Sequence, residues 1–204
     1  MKKMIYLAVC ALALLLLAGC GTPETSTDES QSAASNAIIP SGIADIEYMD
    51  ITDAMLKGAY LGKTSENAGV KAENVFVRDS TMLGVDYVSL GDIKGSFICY
   101  LSGGKISSCN FGSAAFENKT VFYENLIGIN KLVAKALNIQ EAELKFVGTA
   151  ADGEVSELDK VFDGKGIFTT EYRAETYTIT LNGMGVNAAA TIVVELQPVN
   201  GGSE

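Results

Sequence analysis

Five apolar residues step along the middle of the chain in one register: Phe122, Leu126, Ile129, Val133 and Leu137. Spacings of three and four draw a single stripe on an α-helix, so a helix is predicted over Val121–Leu137, with Glu124, Lys131 and Lys135 lying off the stripe. Thr120 is the expected N-cap and Asn138 the expected left-handed stop. Asp50–Leu61 reads as a shorter helix, capped by Asp50, with Ile51, Met55 and Ala59 on one face and Gly62 as its end. Between and after these helices the pattern changes to short Val-, Phe- and Tyr-rich runs broken by Gly and Asp. Strands are predicted at 74–79, 84–90, 95–101 and 105–112, then at 143–147, 166–172, 175–181 and 191–197. In Tyr177-Thr-Ile-Thr-Leu181 apolar residues and threonine alternate strictly, as a strand with one buried face requires. Gly183-Met-Gly-Val186 reads as a hairpin turn.

The order is helix, four strands, helix, four strands. It predicts the α+β class: antiparallel sheet with one long and one short packed helix. It leaves open two similar helix-plus-four-strand halves, 43–117 and 118–199, although no residue-level repeat supports a duplication. This layout is similar to that of tandem helix-plus-sheet secreted inhibitors, a likeness that carries no function. Residues 20–42 are rich in Ser and Thr and almost free of large apolar side chains as far as Asn36. Such a segment cannot offset its ordering entropy, so a disordered tether spanning roughly 25 Å is expected, followed by the folded domain 43–199 and a fraying tail 200–204.

The first residues have a separate logic. Lys2 and Lys3 precede an apolar run from Met4 to Leu17, which is about fourteen residues and short for a membrane span. The run closes in Leu17-Ala18-Gly19-Cys20, which resembles the lipobox of bacterial lipoproteins. That resemblance implies a signal peptide at 1–19, cleavage between Gly19 and Cys20, and a diacylglyceryl group on the Cys20 sulfur. The new Cys20 amine would usually carry an acyl chain such as palmitate. Two or three chains anchor stably, since each buried methylene contributes about 0.8 kcal/mol. The expected location is therefore the extracytoplasmic face of the cell membrane, with the membrane itself as one partner through the anchor.

Charge narrows the remaining classes. The 204 residues hold 15 Lys and Arg against 25 Asp and Glu, and no histidine. Loss of Lys2 and Lys3 with the signal would leave 13 cations against 25 acids, a net charge of −12. A domain of that sign is a poor nucleic-acid binder and is repelled by an anionic bilayer surface. Without histidine there is no His-based triad and no His-ligated zinc. Asp152-Gly-Glu-Val-Ser-Glu-Leu-Asp159 gathers four acids, but they lack the alternation of a calcium loop and Lys160 and Lys165 intrude, so a solvated loop is expected. Tyr87, Tyr100, Tyr172 and Tyr177 alternate with apolar residues and read as half-buried sheet positions rather than a sugar-stacking platform. No catalytic residue, cofactor or metal is assigned.

Two cysteines remain, Cys99 and Cys109, flanking Gly103-Gly104. A loop of Gly103-Gly104 alone sets the two thiols on opposite faces, and a Ser102–Gly104 loop makes them diagonal neighbours. A Gly103–Lys105 loop sets them directly opposite, with Phe97 opposite Phe111. Burial favours a shared face, while turn chemistry leans against direct opposition, so a disulfide and two ordinary thiols both stand. The functional expectation is a membrane-anchored lipoprotein whose domain binds an envelope protein or component without catalysis. The alternative is a small-ligand binding or sensing module using a cleft between helix and sheet, and a carboxylate- or Ser/Lys-based hydrolase ranks third.

Overall fold

The computed structural model describes residues 47–70, 75–149, 155–186 and 188–199, so the signal segment, Cys20 and the tether lie outside the described residues. In chain order the elements are β1 Met49–Asp50, α1 Thr52–Leu56, β2 Val75–Arg78, β3 Met82–Leu90, β4 Ile93–Ser102, β5 Lys105–Ser113, α2 Lys119–Leu137, β6 Lys145–Gly148, α3 Glu157–Phe162, β7 Gly166–Arg173, β8 Tyr177–Val186 and β9 Ala189–Pro198. All nine strands join one sheet in the order β1-β3-β4-β5-β9-β8-β7-β6, with β2 also paired to β3. Among the described residues only the β1–β3 pair is parallel. The domain is α+β with a mostly antiparallel sheet. Two meanders, β2-β3-β4-β5 and β6-β7-β8-β9, meet through their last strands. Among the described residues no helix is long and apolar enough to cross a membrane.

Strand register builds the core in rows. Leu83, Cys99, Cys109, Leu196, Ile179 and Tyr172 lie side by side across six strands, and Val85, Phe97, Phe111, Val194, Leu181 and Thr170 form the next row. These residues are buried. Onto them α2 lays its stripe: Phe122, Leu126, Ile129 and Val133 are fully buried, each a side chain worth about 1.5–3 kcal/mol when removed from water. Gly183 and Gly185 stand in β8 where the sequence suggested a turn. A Cβ at 183 would come within 2.8 Å of Leu126 and Phe122, and one at 185 within 1.7 Å of the Val161 carbonyl oxygen. These glycines let α2 and α3 approach the sheet. The hairpin itself closes between the paired residues Val186 and Ala189, with Ala188 at φ 64°.

Other helix boundaries also shift. The long helix begins two residues earlier, at Lys119, because Asn118 rather than Thr120 caps it: the Asn118 side chain accepts from the Thr120 and Val121 N–H groups. Asn138 ends it at φ 54° as a left-handed residue. The short helix stops at Leu56 because Gly58 already turns left-handed, at φ 68°. Asp50 belongs to β1, and its carboxylate accepts from the Thr52 N–H at 2.9 Å. The acidic stretch expected as a loop holds α3 instead. Ser156 caps it, accepting from the Asp159 N–H at 3.1 Å and donating its hydroxyl to the Asp159 carboxylate at 2.6 Å. Two tyrosines at the β7–β8 hairpin tie the sheet to the helices. Tyr177 donates to the Leu56 carbonyl at 2.9 Å, while buried Tyr172 donates to the Asn130 side chain and accepts from the Ala142 N–H at 3.0 Å.

Candidate functional site

Among the described residues, the three helices pack on the same side of the sheet. Gly183 and Gly185 face α2 and α3, and Tyr177, which shares their side of β8, bonds to α1. The opposite side carries its own rows. Ile98, Asn110, Glu195, Thr180 and Glu171 run across five strands; beside them run Ser96, Gly112, Val193, Asn182, Thr169 and Lys145 across six. Most of these are half-buried, while Glu171 and Lys145 are exposed. The surface is polar with Ile98, Val193 and Tyr100 set into it, so it is not the apolar patch that would mark an obligate interface.

Two asparagines sit deepest in this face, with Asn110 4% and Asn182 5% exposed. Asn182 accepts from the Thr169 hydroxyl at 2.7 Å. Directly opposite Asn110, burial pushes the Glu195 carboxyl above its ordinary range. Burial likewise raises Tyr100, and the Glu195 charge adds to it. A carboxyl and a phenol that both resist ionisation are suited to hydrogen bonding a polar partner.

At one corner the strand geometry is irregular. Between Val85 and Val88 the β3–β4 register shifts, and both valines are fully buried. Asp86 and Tyr87 between them are both half-buried, and Tyr87 adopts φ 56°. A bulky residue in the left-handed region is uncommon and carries strain, and bulges commonly re-aim side chains in this way. Tyr87 meets Tyr48 edge to face at 5.9 Å, and the Lys94 ammonium lies 4.4 Å from the Tyr48 ring centroid. Asp86 accepts from the Ser96 hydroxyl at 2.8 Å, which connects the corner to the Ser96 row. The sequence reading placed Tyr87 in simple alternation and missed this corner. Its signal was there, because Val85 and Val88 are three apart rather than two or four.

The four tyrosines singled out by sequence are not brought together. Tyr172 is buried in the core and Tyr177 is half-buried against α1, while Tyr100 and Tyr87 belong to the open side. Of the acidic stretch, Asp152 and Glu154 lie outside the described residues. Asp159 forms an ion pair with Lys119, whose hydrogen bond, with that of Ser156, holds the carboxyl below its usual range.

Cys99 and Cys109 are directly opposite, and both thiols are free and buried, at 0% and 2% exposure. The hairpin has the two-residue Gly103-Gly104 loop, with Ser102 opposite Lys105, a register that would put the thiols on opposite faces. A bulge between Leu101–Ile106 and Tyr100–Ser108 inserts Ser107 and restores a shared face. Turn type and cysteine register are thus independent, which the sequence argument had assumed they were not. Burial and then the two cysteines push the neighbouring Tyr60 phenol up to about 12. No family model, curated protein or solved structure matches this chain.

Proposed function

We propose that the protein is a lipoprotein held by acyl chains on Cys20 at the extracytoplasmic face of the cell membrane, and that its domain binds an envelope protein without catalysis. The observation that carries the binding part is the asymmetry of the sheet. Three helices fill one side down to two glycines, while the other side presents polar rows and the strained Tyr87–Tyr48 corner. Tyrosines set among hydrogen-bonding groups are the composition of a non-obligate protein interface, where aromatic anchors supply most of the energy. The filled helix–sheet interface speaks against the small-ligand alternative, which needs a cleft beneath α2. In this reading the halves 43–117 and 118–199 are two similar units whose meanders join edge to edge, giving one broad surface from two small ones.

One substitution and a cross-linking series test it. Cys20→Ser should leave an uncut, unacylated precursor; acylation and cleavage at the same bond in that variant would end the lipoprotein reading. A photo-crosslinking residue placed at Tyr87 or Thr180 in the membrane-held chain should capture a discrete partner, while one at exposed Lys131 on α2 should not. Equal capture from both sides, or none from the sheet, would refute the assignment of the binding face.

A further inference from the structure

The geometry points to a structural disulfide between Cys99 and Cys109. Directly opposed residues of an antiparallel pair have Cα atoms about 4.5 or 5.5 Å apart, and both spacings fall within the range of about 4.4–6.8 Å that a disulfide spans. The Ser107 bulge is what creates this opposition, since without it the two side chains would point to opposite faces. Both side chains are buried on that shared face, at 0% and 2% exposure. Leu83 and Leu196 flank the pair in its row, and Phe97 and Phe111 stand opposite each other in the next row. No cation and no base belongs to these rows, so nothing there activates a thiolate for catalysis or metal binding.

The same surroundings fix when the bond forms. The hydrogen bond to Cys109 and burial both push the Cys99 thiol upward, so in the finished fold it stays protonated and unreactive. Oxidation therefore takes place as the hairpin forms, before the pair is buried in the core. One cysteine attacks as thiolate on the disulfide of an external thiol–disulfide oxidoreductase or a small-molecule disulfide. The second cysteine then displaces that partner from the mixed disulfide. Two thiols become one S–S bond, and the two electrons and two protons leave with the partner as its two thiols. The presence of such an oxidant rests on the extracytoplasmic location proposed above. Closing the short loop between 99 and 109 should raise the folding equilibrium constant by about a hundredfold in the chain-entropy account.

The test uses the full chain in two steps. The exported protein is unfolded in acid, its free thiols are alkylated, and it is then reduced and alkylated with a second reagent. Cys99 and Cys109 should carry only the second label, and the first label on either residue of an acylated chain overturns the bond. The purified full chain is also unfolded, reduced and refolded with mixed oxidised and reduced glutathione. A monomer with Cys99 joined to Cys109, resistant to reductant until unfolded, is expected. Glutathione adducts or persistent dithiol overturn the pairing irrespective of location. Acylation of the Cys20 peptide, read from the same digest, reports the address separately, so failure of the anchor and failure of the bond are distinguishable.

Discussion

Replacing Gly185 by alanine places a Cβ 1.7 Å from the Val161 carbonyl oxygen and 2.9 Å from the Phe162 Cα, where ordinary contact begins near 3.4 Å. The obstacle is backbone, so no side chain can rotate away. Either the strand and α3 separate by about 1.7 Å, or α3 leaves the sheet. Overpacking of this kind costs about 1–3 kcal/mol, and more where backbone must move. The ceiling is set by the second route, which exposes Val161 and Phe162, 0% and 4% exposed in the parent, at about 1.5–3 kcal/mol each. Gly185→Ala should therefore destabilise the domain by about 3 kcal/mol and by no more than about 6. Gly112→Ala is the matched control. Its Cβ would meet nothing within 4 Å on the open side of β5, and an alanine in a strand is favoured over glycine by roughly 0.5–1 kcal/mol. Urea melts of the two variants should move in opposite directions with unchanged slopes. A Gly185→Ala shift below about 0.5 kcal/mol, or an equal loss in Gly112→Ala, would mean that α3 is not seated on β8 as described.

Leu126→Ala removes a fully buried side chain from the centre of the α2 stripe and should cost about 2–5 kcal/mol in the same assay, a loss that an exposed face would not show. Glu195→Gln should show a pH-dependent gain. Burial raises the folded carboxyl, so the parent holds its full stability below the unfolded value near 4.5 and loses part of it as pH rises through the folded value. The glutamine variant escapes that loss, so its advantage should grow above about pH 5 and vanish below about pH 4, and a constant difference across that range would contradict the burial argument.

The parts legible in the sequence were those with a short period. The Phe122–Val133 stripe and the alternation around Ile179 and Leu181 follow from spacing alone, and both hold. Failures came where one residue type serves two physical ends. Glycine marks turns, but at 183 and 185 it marks close approach, and only the partner helix distinguishes the two. The acids at 157 and 159 suggested solvated loop, although Ser156 followed three residues later by Asp159 is a capping signal. A bulge was outside the reach of a constant-register argument: Ser107 changes the face of everything beyond it without altering the turn. The pairing of β5 with β9 had no local sign at all, because it depends on which strand edges remain free after each meander has formed. The open polar face was legible only in outline, as the outward residues of strands whose neighbours were not yet known.

That last pairing bears on the order of events during synthesis. β9 lies at the middle of the sheet, between β5 and β8, yet it is the last of the described strands in chain order. Until it emerges, β5 and β8 each present an unpaired edge and the two meanders have no connection beyond the chain itself. A partly made polypeptide therefore has no stable stopping point. The sheet cannot close until β9 joins β5 to β8. The arrangement also exposes two strand edges during the wait, so chains cut short before Ala189 should aggregate through β5 and β8 rather than persist as half-domains.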